Sequence, residues 1–235
     1  LSRKGALRCK NMWTLGLVLW MFGRDRAGIE QWLAAKFKAQ PDVLEANLAA
    51  LRAGHAYGET AEMGPVRRYD IPAAPLAAGT YRTVTGNEAL SLGLHAGARL
   101  AGVKLFLGSY PITPASPILH HLARSAGDEV TVFQAEDEIA AVCAAIGASY
   151  AGALGVTASS GPGIDLKAEA IGLAVSCELP LVVVNVQRAG PSTGMPTKAE
   201  QADLLHALFG RHGDSPLPVI AAATAPDCFD CAIEA

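Results

Sequence analysis

The sequence is poor in charged residues and in aromatic ones. Of its 235 residues, 17% are Asp, Glu, Lys or Arg, against about a quarter in an average soluble protein, and 6% are Phe, Trp or Tyr. The net charge of −3 and the lack of a basic tract argue against nucleic-acid binding, and the scarce aromatic residues argue against a stacking platform for single strands. Because 51% of the residues are hydrophobic, disorder is excluded, and the composition favours a large core or an extensive subunit interface.

Long apolar runs are missing as well. No run reaches the ~20 residues that a membrane-spanning helix needs, so no membrane span is predicted. Residues 12–22 are apolar and follow a group of basic residues, a pattern that resembles a signal peptide. Charged residues stand where the small residues of a cleavage site would lie, so we interpret 12–22 as a buried helix. The sequence begins with Leu1 and stops within a predicted helix, which indicates a fragment of a longer protein.

Disulfide and metal signals are weak. The five cysteines are scattered and odd in number, which does not fit a disulfide framework and favours the cytoplasm. Cys228 and Cys231 form a lone CxxC without the further ligands that a zinc or four-iron site needs, so no metal ligand is predicted. The two thiols either form a redox pair or share a helix face by coincidence, and the preceding Pro226 and Asp227 favour the helix.

Three segments of different character follow one another along the chain. Residues 1–63 show apolar residues at helical spacing, for example around Trp13 and Trp20, and no strand pattern. Residues 64–85 are rich in Pro, Ala and Gly, which is typical of a linker. The sequence therefore predicts a helical domain at 1–63, a linker at 64–85 and a second domain at 86–235.

The second domain alternates helical stretches with short apolar segments. Five such segments are rich in apolar and β-branched residues, and each follows a helical stretch. They are residues 103–107, 130–133, 155–159, 181–186 and 217–222. Apolar strands that are separated by helices form a parallel sheet covered on both faces. The predicted fold class is therefore α/β, with a doubly wound parallel sheet.

Polar or Gly- and Pro-rich residues follow the predicted strands. In a doubly wound sheet, the loops that leave the carboxyl ends of the strands carry the ligand site. The loops that begin at Gly108, Gln134, Ser159 and Gln187 should therefore converge on one edge of the sheet.

Glu136 is the candidate general acid or base. It follows an apolar strand and precedes a helix of small and apolar residues, so its carboxyl group should be desolvated and its pKa raised. Such an acid can hydrogen-bond a ring nitrogen and transfer protons. Alternatively, Glu136 belongs with Asp137 and Glu138 to an acidic first helical turn, which the helix dipole favours. The capping role is assigned to Asp137 and Glu138.

Three further positions offer binding groups, and each also has a simpler explanation. Arg188 at a strand end suits bidentate capture of a carboxylate, or is a solvated cation. Thr113 between two prolines presents its hydroxyl to a ligand, or caps the next helix. The turn from Ser160 to Gly163 presents free amide groups to an anion, or is only a tight turn. The GxGxxG, GKS/T and HExxH fingerprints are absent.

Four motifs taken together resemble a known family. They are YPITP at 110–114, QAEDEIAA at 134–141, SSGPG at 159–163 and QRAGPSTGMPTKAEQADLL at 187–205. The set is similar to the α subunit of 2-oxoacid:ferredoxin oxidoreductases, above all to the fused 2-oxoglutarate form. In that form a γ domain precedes the pyrimidine-binding domain of a thiamine diphosphate enzyme. The resemblance covers nearly the whole chain, and it makes residues 1–63 the last part of the γ domain.

The resemblance implies roles for single residues. Glu136 matches the glutamate that hydrogen-bonds the aminopyrimidine ring of thiamine diphosphate and promotes loss of the proton at C2. Thr113 lies near the aminopyrimidine and the substrate in such enzymes, and Arg188 matches an arginine that holds the 2-oxoacid carboxylate. These three are the candidate catalytic residues. The other candidates are Tyr110, Pro111, Ile112, Ser160 and Gly161 for the cofactor, and Thr193 and Thr197 for the substrate.

The implied reaction is the coenzyme A-dependent oxidative decarboxylation of a 2-oxoacid, expected to be 2-oxoglutarate, with electrons passed to ferredoxin. The sequence has no GDG…N motif for diphosphate and Mg²⁺ and no cysteine set for a [4Fe-4S] cluster. The resemblance places both on a partner β subunit, which implies an obligate heterodimer.

Two alternatives stay open at this point. One is a related thiamine-enzyme subunit that acts on pyruvate or aryl 2-oxoacids. The other is a non-catalytic binding module with the same fold. The joint presence of Glu136, Thr113 and Arg188 argues against the second.

Overall fold

A computed structural model of the chain describes residues 3–61 and 69–235. The chain divides into two compact units, Leu1–Gly79 and Thr80–Ala235. The helices of the first unit are α1 (Arg3–Arg8), α2 (Lys10–Met21), α3 (Ala27–Lys36) and α4 (Pro41–Thr60). The elements of the second unit are α5 (Gly86–Ala101), β1 (Leu105–Ser109), α6 (Ser116–Ala123), β2 (Val130–Gln134), α7 (Glu138–Tyr150), β3 (Leu154–Ser159), α8 (Gly161–Ser176), β4 (Leu181–Asn185), α9 (Leu204–Phe209) and α10 (Asp227–Glu234).

Residues 3–60 of the first unit form helices joined by short turns, as their sequence predicts. Helices α2 and α4 approach closely because glycines lie where side chains would meet. A Cβ on Gly16 would overlap the carbonyl oxygen of Leu51, and a Cβ on Gly54 would overlap that of Trp13. The prediction of a buried helix at 12–22 is right about the helix, but Gly16 is its one fully buried residue, because α4 covers a single side of α2. Among the described helices, none is long and apolar enough to cross a membrane.

Residues 69–85, within the predicted linker, form neither helix nor strand, and residues 62–68 lie outside the described part of the chain. The start of this segment belongs to the first unit and packs on the end of α2 and the residues that follow it. The Tyr69 amide donates to the carbonyl of Met21 at 2.8 Å, and its ring stacks on Phe22 with centroids 5.2 Å apart. The Arg24 guanidinium donates to the Ile71 carbonyl at 3.3 Å.

The second unit is built on four parallel strands in the order β2-β1-β3-β4. In β1, Leu105 pairs with Val130 of β2 and with Leu154 of β3. Leu105 and Leu107 enter a core with residues of α5, α6 and α10, whereas α7 and α8 pack on the opposite face. The prediction of an α/β fold with a doubly wound parallel sheet is therefore confirmed.

The prediction of a fifth strand at 217–222 is wrong. This segment forms neither a strand nor a ladder with β4. Pro218 lies inside the segment, and proline has no N–H to donate to a neighbouring strand.

The helical spacing of residues 198–211 predicts a helix over that whole range, but only Leu204–Phe209 is helical. The residues before it bond back to the loop that follows β4 instead of to one another. The Lys198 carbonyl accepts from the Ala189 amide at 2.9 Å, and the Glu200 carboxylate accepts from the Gly190 amide at 3.0 Å.

Helix α7 lies directly on the backbone of the sheet. A Cβ on Gly108 of β1 would overlap the carbonyl oxygen of Ala141, and a Cβ on Gly155 of β3 would overlap that of Ala145. The two glycines therefore permit a contact between helix backbone and strand backbone that no other residue allows.

A pair of glycines on α5 gives a test of the packing of α10. Gly93→Ala should destabilise the protein by about 1–3 kcal/mol, because the new methyl group would overlap the carbonyl oxygen of Phe229. Gly97→Ala on the same helix is the matched control. Its Cβ would lie 3.4 Å from the Cα of Ile233, so it should gain roughly 0.4–1 kcal/mol from the lower entropy of the unfolded chain. Urea unfolding of both variants measures the difference, and equal effects would contradict this packing.

Candidate active site

The strand order creates a crevice between β1 and β3. From β1, the chain passes through α6 on one face of the sheet to β2, which lies on one side of β1. From β2, it passes through α7 on the opposite face to β3, which lies on the other side of β1. In open α/β sheets, ligands bind outside the carboxyl ends of the strands at such a switch point. The loop with Thr113 and the turn with Ser160 lie at the two sides of this crevice.

Two buried hydroxyl groups join β1 to β3 at this edge. The hydroxyl oxygens of Tyr110 and Ser159 are 2.7 Å apart and share a hydrogen bond. Both side chains are buried. Burial raises the pKa of Tyr110 above its ordinary value, so the phenol keeps its proton. The absence of a side chain at Gly163 leaves the space, since a Cβ there would overlap both oxygens.

Lys167 of α8 lies behind these hydroxyl groups and is fully buried, with 0% exposure. Its Nζ donates to Thr157 Oγ1 at 2.6 Å and lies 5.2 Å from the centroid of the Tyr110 ring. Burial lowers the pKa of Lys167 to about 8, and the negative charge of Glu138 partly opposes this shift.

Sequence analysis missed Lys167, although a signal for it exists. The residue falls in the helical stripe of Ile164 and Ile171 that faces the core, where an uncompensated lysine is rare.

Glu138, which is half-buried, lies beside this cluster. Its charge shifts the pKa values of both Tyr110 and Lys167. The cap of α7 comes from Asp137 alone, whose carboxylate accepts from the Ala140 amide at 2.8 Å. The predicted capping role is therefore confirmed for Asp137, whereas Glu138 lies in the first turn of α7 with its Cγ close to Gly163 of α8.

Lys167→Met should stabilise the protein by about 2 kcal/mol at pH 7. The folded-state pKa of about 8 lies below the ordinary 10.5, so the folded state binds this proton less tightly than the unfolded state. The destabilisation of the folded state by the charged lysine is largest below pH 8, declines as the pH rises towards 10.5 and vanishes above it. This difference between the two pKa values corresponds to roughly 3 kcal/mol of destabilisation in the wild type. The variant also loses the hydrogen bond to Thr157, which lowers its gain in stability by about 1 kcal/mol.

Thermal unfolding of both proteins between pH 7 and pH 10.5 measures this effect. The stability gain of the variant should shrink as the pH rises. A loss of stability at pH 7, or a gain that does not change with pH, would contradict it.

Arg188 connects the loop after β4 with the loop after β1. Its Nη1 donates to the Thr113 carbonyl at 2.7 Å, and its Nη2 donates to the Thr193 carbonyl at 2.8 Å. The side chain is 7% exposed, and its Nε is buried without a partner among the described residues. Within the described residues, this guanidinium donates to backbone carbonyl groups and forms no ion pair with a carboxylate. It is therefore suited to receive an anionic group of a ligand.

The loop after β4 has a fixed shape because its own side chains bond its backbone. Asp203 accepts from the Asn185 amide group at 2.9 Å, and its backbone amide donates to Gln187 Oε1 at 3.0 Å. The same carboxylate lies near Gly161, at the start of α8. These hydrogen bonds fix Gln187, the residue before Arg188, and thereby restrict the position of Arg188.

Glu136 does not lie in a desolvated pocket, contrary to the prediction. Its side chain is exposed, because the apolar residues of α7, such as Ala141 and Ala145, face the strands, whereas Glu136 precedes the helix cap. Within residues 3–61 and 69–235, no hydrogen bond or ion pair engages its carboxylate. Glu136 is therefore free to bond a ligand or a partner chain.

The loops after the strands do converge. Ala135 packs with Tyr110 and Ile112, and its amide donates to the Ser109 carbonyl at 2.8 Å. The residue before Glu136 thus contacts the YPITP loop.

The other predicted site residues lie at the same edge with different exposure. Ser160 is fully buried, and its Oγ has no partner among the described residues, while Gly161 is half-buried. Thr113, Thr193 and Thr197 are exposed. The exposed residues also include Pro111, and Ile112 is half-buried.

The described residues contain no group of three or more His, Cys, Asp or Glu that could hold a metal ion. Cys228 and Cys231 lie on α10, as the helix interpretation predicts. Burial raises the pKa of the Cys228 thiol, which makes it less reactive.

Comparison with known proteins identifies the family. Residues 96–235 match the family described as pyruvate flavodoxin/ferredoxin oxidoreductase, thiamine diphosphate-binding, and residues 1–57 match the family pyruvate ferredoxin/flavodoxin oxidoreductase. The chain belongs to this family. The four motifs that first indicated the oxidoreductase family lie within the longer of the two matches.

Individual members of the family are similar over most or all of the chain. The 2-oxoglutarate oxidoreductase subunit KorA of Mycobacterium tuberculosis is 55% identical over 100% of this chain and 36% of its own length. The 2-oxoglutarate synthase subunit KorA of Archaeoglobus fulgidus is 48% identical over 65% of this chain and 43% of its own length.

A solved structure shows the same fold. The 2-oxoglutarate:ferredoxin oxidoreductase from Magnetococcus marinus, with 2-oxoglutarate, coenzyme A and succinyl-CoA bound, is 37% identical, with a TM-score of 0.72. The match covers 97% of this chain and 39% of that one. The chain thus spans well under half the length of these relatives.

Proposed function

We propose that this chain is part of the α-type subunit of a 2-oxoacid:ferredoxin oxidoreductase. The reaction is the thiamine diphosphate- and coenzyme A-dependent oxidative decarboxylation of a 2-oxoacid, with 2-oxoglutarate as substrate. The named activities of the relatives and the bound molecules of the Magnetococcus marinus enzyme support this proposal. The first unit corresponds to the last part of a γ domain, in line with the separate family match at 1–57.

The observation that carries the proposal is the Arg188 guanidinium. A buried cation with two backbone partners and an unpartnered Nε keeps donors for a carboxylate. It lies beside Thr113, on the side of the crevice where the loops after β1 and β4 meet. A 2-oxoacid has a carboxylate next to its reactive carbonyl, so this placement suits the substrate class.

The residues present fit the aminopyrimidine half of thiamine diphosphate. Glu136 has a carboxylate without a partner in the described chain, which is what a hydrogen bond to a ring nitrogen requires. Ile112 and Ala135 form an apolar contact beside it, and Tyr110 gives this contact a rigid base. The exposure of Glu136 implies that a second chain completes the pocket and excludes water from it.

The bound cofactor supplies the carbon nucleophile and stabilises the negative charge left when carbon dioxide departs. This chain's residues bind, orient and exchange protons. Arg188 holds the substrate carboxylate, Thr113 presents its hydroxyl beside it, and Glu136 holds a proton at its carboxylate for the ring nitrogen. The substrate role of Thr193 and Thr197 rests on their place in the Arg188 loop. Ser160 and Gly161 complete the crevice at the start of α8.

We assign the diphosphate, Mg²⁺ and [4Fe-4S] cluster to a partner β subunit. The sequence of this chain has no GDG…N motif and no cysteine set for a cluster. Ferredoxin is the electron acceptor and coenzyme A accepts the acyl group.

The deciding experiment uses the protein co-purified anaerobically with a candidate β subunit. Reduction of a viologen dye is followed with 2-oxoglutarate, pyruvate or indolepyruvate, with and without thiamine diphosphate and coenzyme A. We expect reduction that requires both chains and both added compounds, with 2-oxoglutarate preferred. Preference for another acid would change the substrate, and no reduction by a complex that carries its cluster and cofactor would refute the proposal.

A further inference from the structure

Lys167 has no structural reason to be a lysine. Its ammonium group is fully buried and has one neutral hydrogen-bond acceptor, Thr157 Oγ1. A buried charge without a bonded counter-ion destabilises a folded protein, and an apolar side chain of similar length would fit the same stripe of α8. The residue therefore calls for a functional explanation.

The surroundings of Lys167 come from the elements that form the proposed site. Tyr110 follows β1, Thr157 lies in β3, and Glu138 lies in the first turn of α7. Glu138 and Tyr110 are the titratable groups from other elements that face it, and Arg188 acts on Tyr110 in turn. The acidic residues of α8 itself, Asp165 and Glu169, are exposed.

Short chain distances connect these contacts with the proposed catalytic groups. Glu138 is two residues after Glu136, and Tyr110 is three residues before Thr113. The ammonium group lies 5.2 Å from the centroid of the Tyr110 ring, and the Glu138 side chain packs against Gly163 in the same helix as Lys167. Lys167 is therefore placed to act on the loop after β1 and on the start of α7 together, and the charge of Glu138 favours the protonated lysine.

We propose that Lys167 is a positioning residue, which holds Tyr110 and Glu138 and thereby sets the distance between the loop that carries Thr113 and the turn that carries Glu136. This inference rests on the proposed function, since that function gives the two groups their roles. A cation between two elements draws both towards it, and a misplacement of about 1 Å at a reacting group costs up to about a hundredfold in rate.

The test compares variants in the complex with the β subunit. Lys167→Met and Lys167→Gln both remove the charge, and the glutamine keeps a donor for Thr157. We expect both variants to lower kcat/KM for the 2-oxoacid by about tenfold to a hundredfold, while the melting temperature at pH 7 rises for Lys167→Met. The control is Lys104→Met, which removes an exposed lysine and should change neither quantity.

Loss of activity together with a gain in stability is the signature of positioning. A structural lysine would lower both when replaced. Wild-type kcat/KM in Lys167→Met would overturn the inference. Wild-type kcat/KM in Lys167→Gln would also overturn it, because the charge would then have no role.

A second readout does not depend on turnover. Hydrogen exchange of the amides of Tyr110, Ile112 and Thr113, and of residues 136–140, should become several-fold faster in both variants and not in Lys104→Met. Unchanged exchange would overturn the inference even if activity fell. If the wild-type complex reduces no dye with any 2-oxoacid, the proposed function fails, and the exchange measurement still decides whether Lys167 positions the two elements.

Discussion

On the proposed function, Glu136→Ala in the complex with the β subunit should lower kcat by about 10²–10⁴-fold, the range that a lost general acid or base costs. The carboxylate is exposed and without a partner in the described chain, so its removal breaks no internal contact. The loss should therefore appear in the chemical step and leave the melting temperature unchanged. Steady-state kinetics with saturating cofactor and substrate measure it, alongside thermal unfolding.

The neighbouring acid gives the control. Asp137→Asn keeps the hydrogen bond that caps α7, since asparagine is as good a cap as aspartate. Its kcat should stay within about twofold of the wild type. If Glu136→Ala retained wild-type turnover, Glu136 would have no role in proton transfer.

Arg188→Ala should raise KM for the 2-oxoacid most strongly, with a loss of about 2–5 kcal/mol in substrate binding when a buried, hydrogen-bonded charge pair loses one partner. The substitution also removes the bonds to the carbonyl groups of Thr113 and Thr193, so a smaller fall in kcat should accompany it. The change in KM reports the lost substrate binding, and the change in kcat reports the lost bonds to the two carbonyl groups. Initial rates measured over a range of substrate concentrations give both constants.

Arg124→Ala is the comparison for Arg188→Ala. Arg124 is exposed and lies just after α6, away from the loops of the site, so its removal should leave both constants unchanged. An unchanged KM in Arg188→Ala, together with a lower melting temperature, would make Arg188 a purely structural clamp.

The sequence was sufficient for the fold class and for most strands of the sheet. Apolar β-branched runs between helices have few explanations, and their loops converge as the parallel arrangement requires. The error at 217–222 arose because hydrophobicity outweighed Pro218, whose missing N–H prevents pairing. The error at 198–211 arose because helical spacing does not show that Lys198 and Glu200 bond to a distant turn.

The environment of single side chains was harder to predict. The small residues after Glu136 predict an apolar pocket around its carboxyl group, but they face the strands and leave the acid exposed. The partners of Arg188 are carbonyl groups, which every residue has, so composition gives no hint of them. Lys167 could have been found from its place in an apolar helical stripe, whereas its contact with Tyr110 needed coordinates.

The glycines at 108 and 155 have a consequence for how the site can vary. With carbonyl oxygens of α7 resting against Cα atoms of the sheet, the helix has no deformable side-chain layer beneath it. A methyl group at either glycine has to lift the whole helix, and Glu136 at its start moves with it. On the proposed function, substrate preference would change through the surface loops after β1 and β4, whereas the position of Glu136 is set by these two glycines, which lie beneath α7. Directed evolution of this scaffold should accept changes in those loops outside the proposed site residues, and it should reject any side chain at either glycine.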